Sequence, residues 1–245
     1  MRHFGTLASS STAALAMHLA LASLGMIAIA PVSADAASAA ECDSTPSAGV
    51  DWSGCRKRNL ILEGSDLSGA NLGDADFTST DLRGASFEKT DFSKATLVRS
   101  MLDASKAAGA NFEKAVGFRT SFAGTNLTGA TFVKSEMQRA DFTGADLSNV
   151  DFQKSELGRA IFSKANIEGT GFRYANLARA DFREAKYQSS IDFTGAYLYR
   201  TRLEDVDLSK AVGLNQWQVE MSCGNAGTLL PEGIIPPESW PCDDE

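Results

Sequence analysis

Between Glu136 and Ala160 the chain reads EMQRA DFTGA DLSNV DFQKS ELGRA: in each block of five the second residue is large and apolar and the last is small. A period of five matches neither the 3.6 residues of a helical turn nor the two of a strand. With the large apolar residue taken as the centre of its block, centres fall at Trp52 and Leu62 and then every five residues to Tyr187, with Lys57, Ala107 and Gly117 out of character. The residue two before the centre is Ala, Ser or Thr at every block from Ser65 to Ala185 except Val150. The frame slips by one residue in YQSSIDFTGA and resumes with Phe193, Leu198, Leu203 and Leu208 as centres.

Two residues that lie two apart in an extended segment point the same way, and the one between them points the opposite way. Each block therefore predicts a very short strand with two side chains in and one out, commonly Asp or Asn. The remaining two residues, such as Ser-Gly or Ser-Lys, must turn the chain, and Gly suits a turn that needs positive φ. Four strands and corners close a square coil, and coils can stack about 4.8 Å apart. Arg99, Arg119, Arg139, Arg159 and Arg179 recur every twenty residues, with Arg200 next after the slip, which sets the coil at four blocks. Lys94, Lys114, Lys134 and Lys154 form a second column. Phe122 to Phe182 alternate with aliphatic centres, predicting two Phe faces and two aliphatic faces per coil.

The stretches SDLSGANLGDADFTSTDLRGA and GADLSNVDFQKS resemble the pentapeptide-repeat family, whose pattern is small, Asp/Asn, Leu/Phe, Ser/Thr/Arg, Gly. The resemblance spans roughly Val50 to Ala211. It implies an all-β, right-handed quadrilateral β-helix. The best-characterised members of the family resemble B-DNA in size and charge and bind DNA gyrase, so a DNA-mimic, topoisomerase-binding role is one function the resemblance implies.

Composition redirects that expectation. The chain has 245 residues, is 43% hydrophobic and carries a formal charge of −8. A positive start at Met1–Arg2–His3, an apolar run from Ala13 to Ala30 and a small-x-small site at Val32–Ser33–Ala34 or Ala34–Asp35–Ala36 read as a secretory signal peptide over residues 1–34, with an uncleaved anchor as the alternative. Export to a bacterial periplasm would remove the protein from cytoplasmic gyrase. Both histidines, His3 and His18, lie in that segment, so the mature chain would lack His-dependent nucleophilic catalysis and the commonest transition-metal ligand.

Residues 35–49 read as an N-terminal cap, 50–211 as the β-helix and 212–245 as a C-terminal helix with a disulfide-tied tail. Cys42 and Cys55 precede the repeats, and Cys223 and Cys242 follow them. A rod would hold its ends too far apart for a bridge, whose Cα atoms approach within about 7 Å, leaving Cys42–Cys55 and Cys223–Cys242. Unpaired buried thiols are the alternative. Asn215, with Gln218 three residues on, is placed to cap a short helix carrying Trp217 and Met221 on one face. The Pro-rich stretch LLPEGIIPPESWPC is expected to fold back, the alternative being a homodimer surface of Trp217, Ile234, Ile235 and Trp240.

The sequence holds no phosphate loop, dinucleotide turn or nucleophile beside a base, and outward carboxylates such as Glu136 with Asp141, or Asp146 with Asp151, are expected to be solvated among alternating charges. No enzymatic activity, cofactor or metal site is expected. Ala107 and Gly117, at centres on opposite faces, predict one locally re-packed coil, with a ligand-binding defect as the alternative. The candidate site is the column Arg99, Arg119, Arg139, Arg159, Arg179 and Arg200, which would run about 24 Å at a 4.8 Å spacing and suits an anionic polymer or an anionic lipid surface. Val98, Phe118, Tyr197 and Tyr199 should share its face. Against that stands a passive corner residue copied by duplication, with Arg139 and Arg179 paired to Asp141 and Asp181. The expected partner is a protein or envelope component, without direct nucleic-acid contact and without a membrane span after signal removal.

Overall fold

The computed structural model describes residues 40–242. The residue before each centre pairs in parallel with its counterpart one coil on, from Asp51↔Asn71 and Arg56↔Asp76 through Asn166↔Lys186. Two bonds fix each rung: Phe132 N–H donates to Asp151 C=O at 2.7 Å, and Asp151 N–H donates back to Ala130 C=O at 3.1 Å. The coils stack into a right-handed quadrilateral β-helix of four blocks each. We number the faces by their centres: the first runs from Trp52 to Phe193, the second from Lys57 to Leu198, the third from Leu62 to Leu203 and the fourth from Leu67 to Leu208.

The interior is the predicted columnar core. Phe92, Phe112, Phe132, Phe152 and Phe172 on the first face and Phe122, Phe142, Phe162 and Phe182 on the third are almost wholly buried. Within a column the rings stack face to face, Phe112 on Phe132 at 4.5 Å and 9°. Across the coil the two columns meet edge to face, Phe112 to Phe122 at 5.6 Å and 87°. The edge-to-face geometry suits the ring quadrupole, adding about 0.5–1.5 kcal/mol per pair to the burial of each ring. Buried threonines are satisfied in the same columnar way: Thr120 and Thr170 donate to Leu97 and Leu147 carbonyls at 2.6 and 2.8 Å. The coil holding Ala107 and Gly117 is re-packed, since a Cβ on Gly117 would lie 2.4 Å from Met137 Sδ, which already fills that space.

Each corner is a four-residue turn, closed for example by Ala145 N–H to Phe142 C=O at 3.0 Å. Its third residue has positive φ, as in a type II turn, whether it is Gly144 (64°) or Arg139 (60°). The outward Asp or Asn before the centre is not simply solvated. Its carboxylate or amide oxygen accepts the N–H two residues on, as Asp66 does from Ser68 at 3.0 Å and Asp151 from Gln153 at 2.8 Å. That Asx bond holds the turn's first free N–H.

At the slip, the extra residue is taken up in the turn after Tyr187, where the Glu168 carboxylate accepts the Gln188 and Ser189 N–H groups at 2.6 and 3.1 Å. Strand β1 (Ile191–Asp192) then pairs in parallel with β2 (Ala211–Val212). Pairing continues past residue 211, with Arg202↔Cys223 and Asp207↔Leu229 adding rungs from the tail. Helix α1 (Gln216–Glu220) has the expected capping box between Asn215 and Gln218. It buries Gln218 and Val219, however, and leaves Trp217 59% exposed. Gln218 Nε2 donates to the carbonyls of Phe193 and Ala196 at 2.8 and 2.9 Å, tying the helix to the last full coil.

Both ends are bridged within themselves, Cys42–Cys55 and Cys223–Cys242 each having a Cα separation of 5.4 Å. Lys57, the odd centre of the first coil, is a capping residue: its Nζ donates to Cys42 C=O at 2.6 Å and lies 3.6 Å from the Trp52 ring centroid. Burial pushes its pKa down. The tail folds back, placing Trp240 over Gly224, where a Cβ would meet the ring at 2.4 Å, with its Nε1 donating to Ser222 C=O at 2.8 Å. Among the described residues no helix is long and apolar enough to cross a membrane. The signal-peptide reading of residues 1–34 lies outside the described residues.

Candidate functional site

The corners are chemically unequal. All need a left-handed third residue, for which Gly carries no Cβ penalty. At the corner after the third face that residue is Gly64, Gly84, Gly124 and Gly144 in four coils, and after the fourth face it is Gly69, Gly109, Gly129 and Gly169. The two corners flanking the second face differ. After the first face stand Lys94, Lys114, Lys134 and Lys154, and after the second Arg99, Arg119, Arg139, Arg159, Arg179 and Arg200. These arginines have φ from 53° to 61°, a region that costs an L residue roughly 1–2 kcal/mol.

The second face departs from the repeat at another position too. Before the centre, where the other faces place Asp or Asn in many coils, it carries Arg56, Asp76, Thr96, Val116, Glu136, Glu156, Asn176 and Tyr197. Only Asp76 and Asn176 make the Asx bond to the following turn there, to Thr78 and Ala178 at 3.0 and 3.1 Å. From Arg99 on, the corner between the second and third faces thus has neither glycine at its positive-φ position nor, outside Asn176, the Asx acceptor.

Charge is sorted by face rather than alternating, which corrects the sequence expectation. From Ser93 to Arg200 the second face and its corners carry the Arg and Lys columns and Arg173, against Glu113, Glu136 and Glu156. Glu113 is paired with Lys114 at 2.9 Å, and Glu156 accepts from Asn176 Nδ2 at 2.7 Å. The Asp-rich positions lie on the other three faces, so a net-acidic chain presents one basic side.

The expected pairing of Arg139 with Asp141 does not form. Asp141 accepts the Thr143 N–H at 2.8 Å, and Asp181 is held by Arg183 at 2.6 Å. Among the described residues, Arg99, Arg119, Arg139 and Arg159 make no ion pair within 4.0 Å. Arg119 and Arg139 instead place their guanidinium carbons 5.2 and 5.9 Å from the centroid of the half-buried Phe118 ring. Tyr174, Tyr197 and Tyr199 are 54%, 42% and 43% exposed at the far end of the same side, the last two with parallel rings 6.2 Å apart. Phe118, Tyr197 and Tyr199 thus share the Arg column's side, as the spacing predicts.

The hollow beside the slip is a weaker candidate. Glu168 there is spent on loop N–H groups, Lys210 Nζ donates to Gln188 C=O at 2.7 Å, and burial pushes the Tyr187 phenol up. No group of His, Cys, Asp or Glu able to hold a metal occurs among the described residues.

A family model described as a pentapeptide repeat region matches residues 135–212, and one described as pentapeptide repeats (8 copies) matches residues 61–99 and 97–132. No curated relative matches the chain. Among solved structures, QnrB1, a plasmid-mediated fluoroquinolone resistance protein, is similar at 17% identity and a TM-score of 0.52, over 74% of this chain and 86% of that one. HetL, a pentapeptide repeat protein involved in heterocyst differentiation regulation from the cyanobacterium Nostoc sp. strain PCC 7120, is 22% identical over 75% of this chain and 84% of its own, with a TM-score of 0.41. Rfr23 from the cyanobacterium Cyanothece 51142 is 17% identical over 58% and 87%, with a TM-score of 0.34. At these identities the likeness to QnrB1 speaks to the fold alone.

Proposed function

The chain belongs to the pentapeptide-repeat family, and from that premise we propose that it is an exported, non-enzymatic binding scaffold whose working surface is the basic second face. One observation carries this reading. The corner after the second face lacks both features that make corners cheap, having no glycine at its positive-φ position and, from Arg99 on, a single Asx bond at Asn176, and there the chain places its Arg column, with the Lys column at the neighbouring corner. Strained backbone that persists over successive coils is the kind of feature that marks a site. Local rules broken without a compensating structural gain point the same way.

Physically the face suits a polyanion. Arginines at the coil spacing form a row of bidentate donors on a backbone that the coil stack already orders, so little backbone order is lost on binding. The paired end cysteines fit an oxidising compartment such as a periplasm. A DNA-mimic, topoisomerase-binding role needs a continuous negative surface, and the second face interrupts it.

The test is retention of the purified protein on immobilised heparin, with Arg119, Arg139 and Arg159 replaced together by Gln. The parent should elute late and earlier as salt shortens the Debye length, and the triple variant should elute near the void with unchanged circular dichroism. A parent that runs through without retention removes the proposal.

A further inference from the structure

The middle of the basic face narrows the ligand class, on the reading just given. Between the Arg and Lys rows lie Glu136 and Glu156, with the Phe118 ring one coil before Glu136 and the Tyr197 and Tyr199 rings two coils beyond Glu156. A phosphate polymer such as DNA offers mainly acceptors along its backbone and brings no hydroxyl donors to those carboxylates. A face with donors in two rows and acceptors between them matches a polymer that carries both carboxylates and hydroxyl groups. Sugar rings also present apolar C–H surfaces that pack on exposed aromatic rings. Charge spacing points the same way: coils rise about 4.8 Å, whereas a duplex presents one phosphate per 3.4 Å or so along each strand and runs out of step with the arginines. An extended, 1,4-linked acidic sugar chain advances by a similar step per residue as one coil.

We propose that the second face binds a linear acidic polysaccharide of the polyuronate class, laid along the solenoid axis at one sugar per coil, with successive carboxylates directed alternately to the Arg and Lys columns, its hydroxyls on Glu136 and Glu156, and its C–H faces on the aromatic rings. Arg99, Arg119, Arg139 and Arg159 form the central rungs, and the tyrosines form the landing platform at the C-terminal end. The coil stack fixes the spacing of the backbone positions from which the guanidinium groups project.

The experiment is calorimetric titration of the purified full chain with oligogalacturonates and oligomannuronates of two to eight sugars, beside single-stranded DNA and anionic phosphatidylglycerol vesicles. Affinity should climb with oligomer length and level off once the chain spans the column. Arg139→Gln should weaken the hexamer by about tenfold, the loss of roughly 1.4 kcal/mol. Tyr199→Ala should weaken it without changing the salt dependence, and circular dichroism should show both variants folded. Binding of DNA or vesicles with no length-dependent uronate binding overturns this inference and leaves the polyanion reading standing. Uronate binding that survives Arg139→Gln overturns the assignment of the face, and failure of all the probes overturns both.

Discussion

Met137 fills the space that Gly117 leaves, its Sδ lying 2.4 Å from where a Gly117 Cβ would sit. The two act as one core residue spread over two coils. Gly117→Ala should overpack the site and cost about 1–3 kcal/mol, and Met137→Ala should open a cavity costing about 2–5 kcal/mol. The double variant should cost less than the two together, because the alanine methyl enters the space that the methionine vacates. Urea unfolding of the four proteins measures this, and strict additivity would contradict the shared filling.

The Phe columns make inward and outward positions energetically distinct. Phe152 is fully buried and stacked on Phe172 at 5.3 Å, whereas the Gln153 side chain lies in the turn. Phe152→Ala should destabilise by about 3–5 kcal/mol, and Gln153→Ala by less than about 0.5 kcal/mol. Comparable urea midpoints for the two would refute the columnar core.

Acid should loosen the turns. The Ser68 N–H holds Asp66 below its ordinary pKa, the Arg83 guanidinium does so at Asp81, and the Ser209 hydroxyl and N–H do so at Asp207. A carboxylate depressed in the fold contributes stability that is fully present above its unfolded value, near 3.8, and is lost as pH falls through the lower folded value. Melting temperature should therefore drop as pH falls below about 4. Replacing Asp66, Asp81 and Asp207 by Asn keeps the acceptor, removes the titration and should flatten that drop. A triple variant whose pH profile matches the parent's would exclude these carboxylates as its cause.

Much of this fold could be read from the sequence, because a period of five with one apolar and one small position specifies both the rung and the coil. The Arg spacing gave the coil length, and the Asn215–Gln218 spacing gave the helix cap. Other features depend on neighbours a coil away. Lys57 looked anomalous, and its partner, Cys42 C=O, becomes visible only once the N-terminal cap folds beneath the first coil. The tail rungs at Cys223 and Leu229 carry no sequence signal, because they lack the Asp-Leu pattern while keeping the pairing register. A five-residue helix has no periodicity long enough to reveal that Gln218 and Val219, not Trp217, face inward. Charge segregation is hard to see in the sequence because residues five apart lie on neighbouring faces, whereas residues twenty apart share one.

Export and end-bridging should appear together in the isolated protein. Intact-mass and peptide analysis should find an N-terminus between Asp35 and Ala40, with Cys42 joined to Cys55 and Cys223 to Cys242. Replacing Cys223 and Cys242 by Ala should cost about 2–4 kcal/mol in urea unfolding. An intact Met1 would contradict export.

The most direct test of the basic face is a comparison of melting temperature and polyanion retention for Arg119, Arg139 and Arg159 replaced together by Gly. Left-handed φ costs an arginine roughly 1–2 kcal/mol, and the extra freedom of unfolded glycine offsets about 0.4–1 kcal/mol of the gain. A face kept for binding predicts a melting temperature equal to or above the parent's, with salt-sensitive retention on heparin abolished. A variant that melts lower while binding as the parent does would show that the arginines serve the fold and not a ligand.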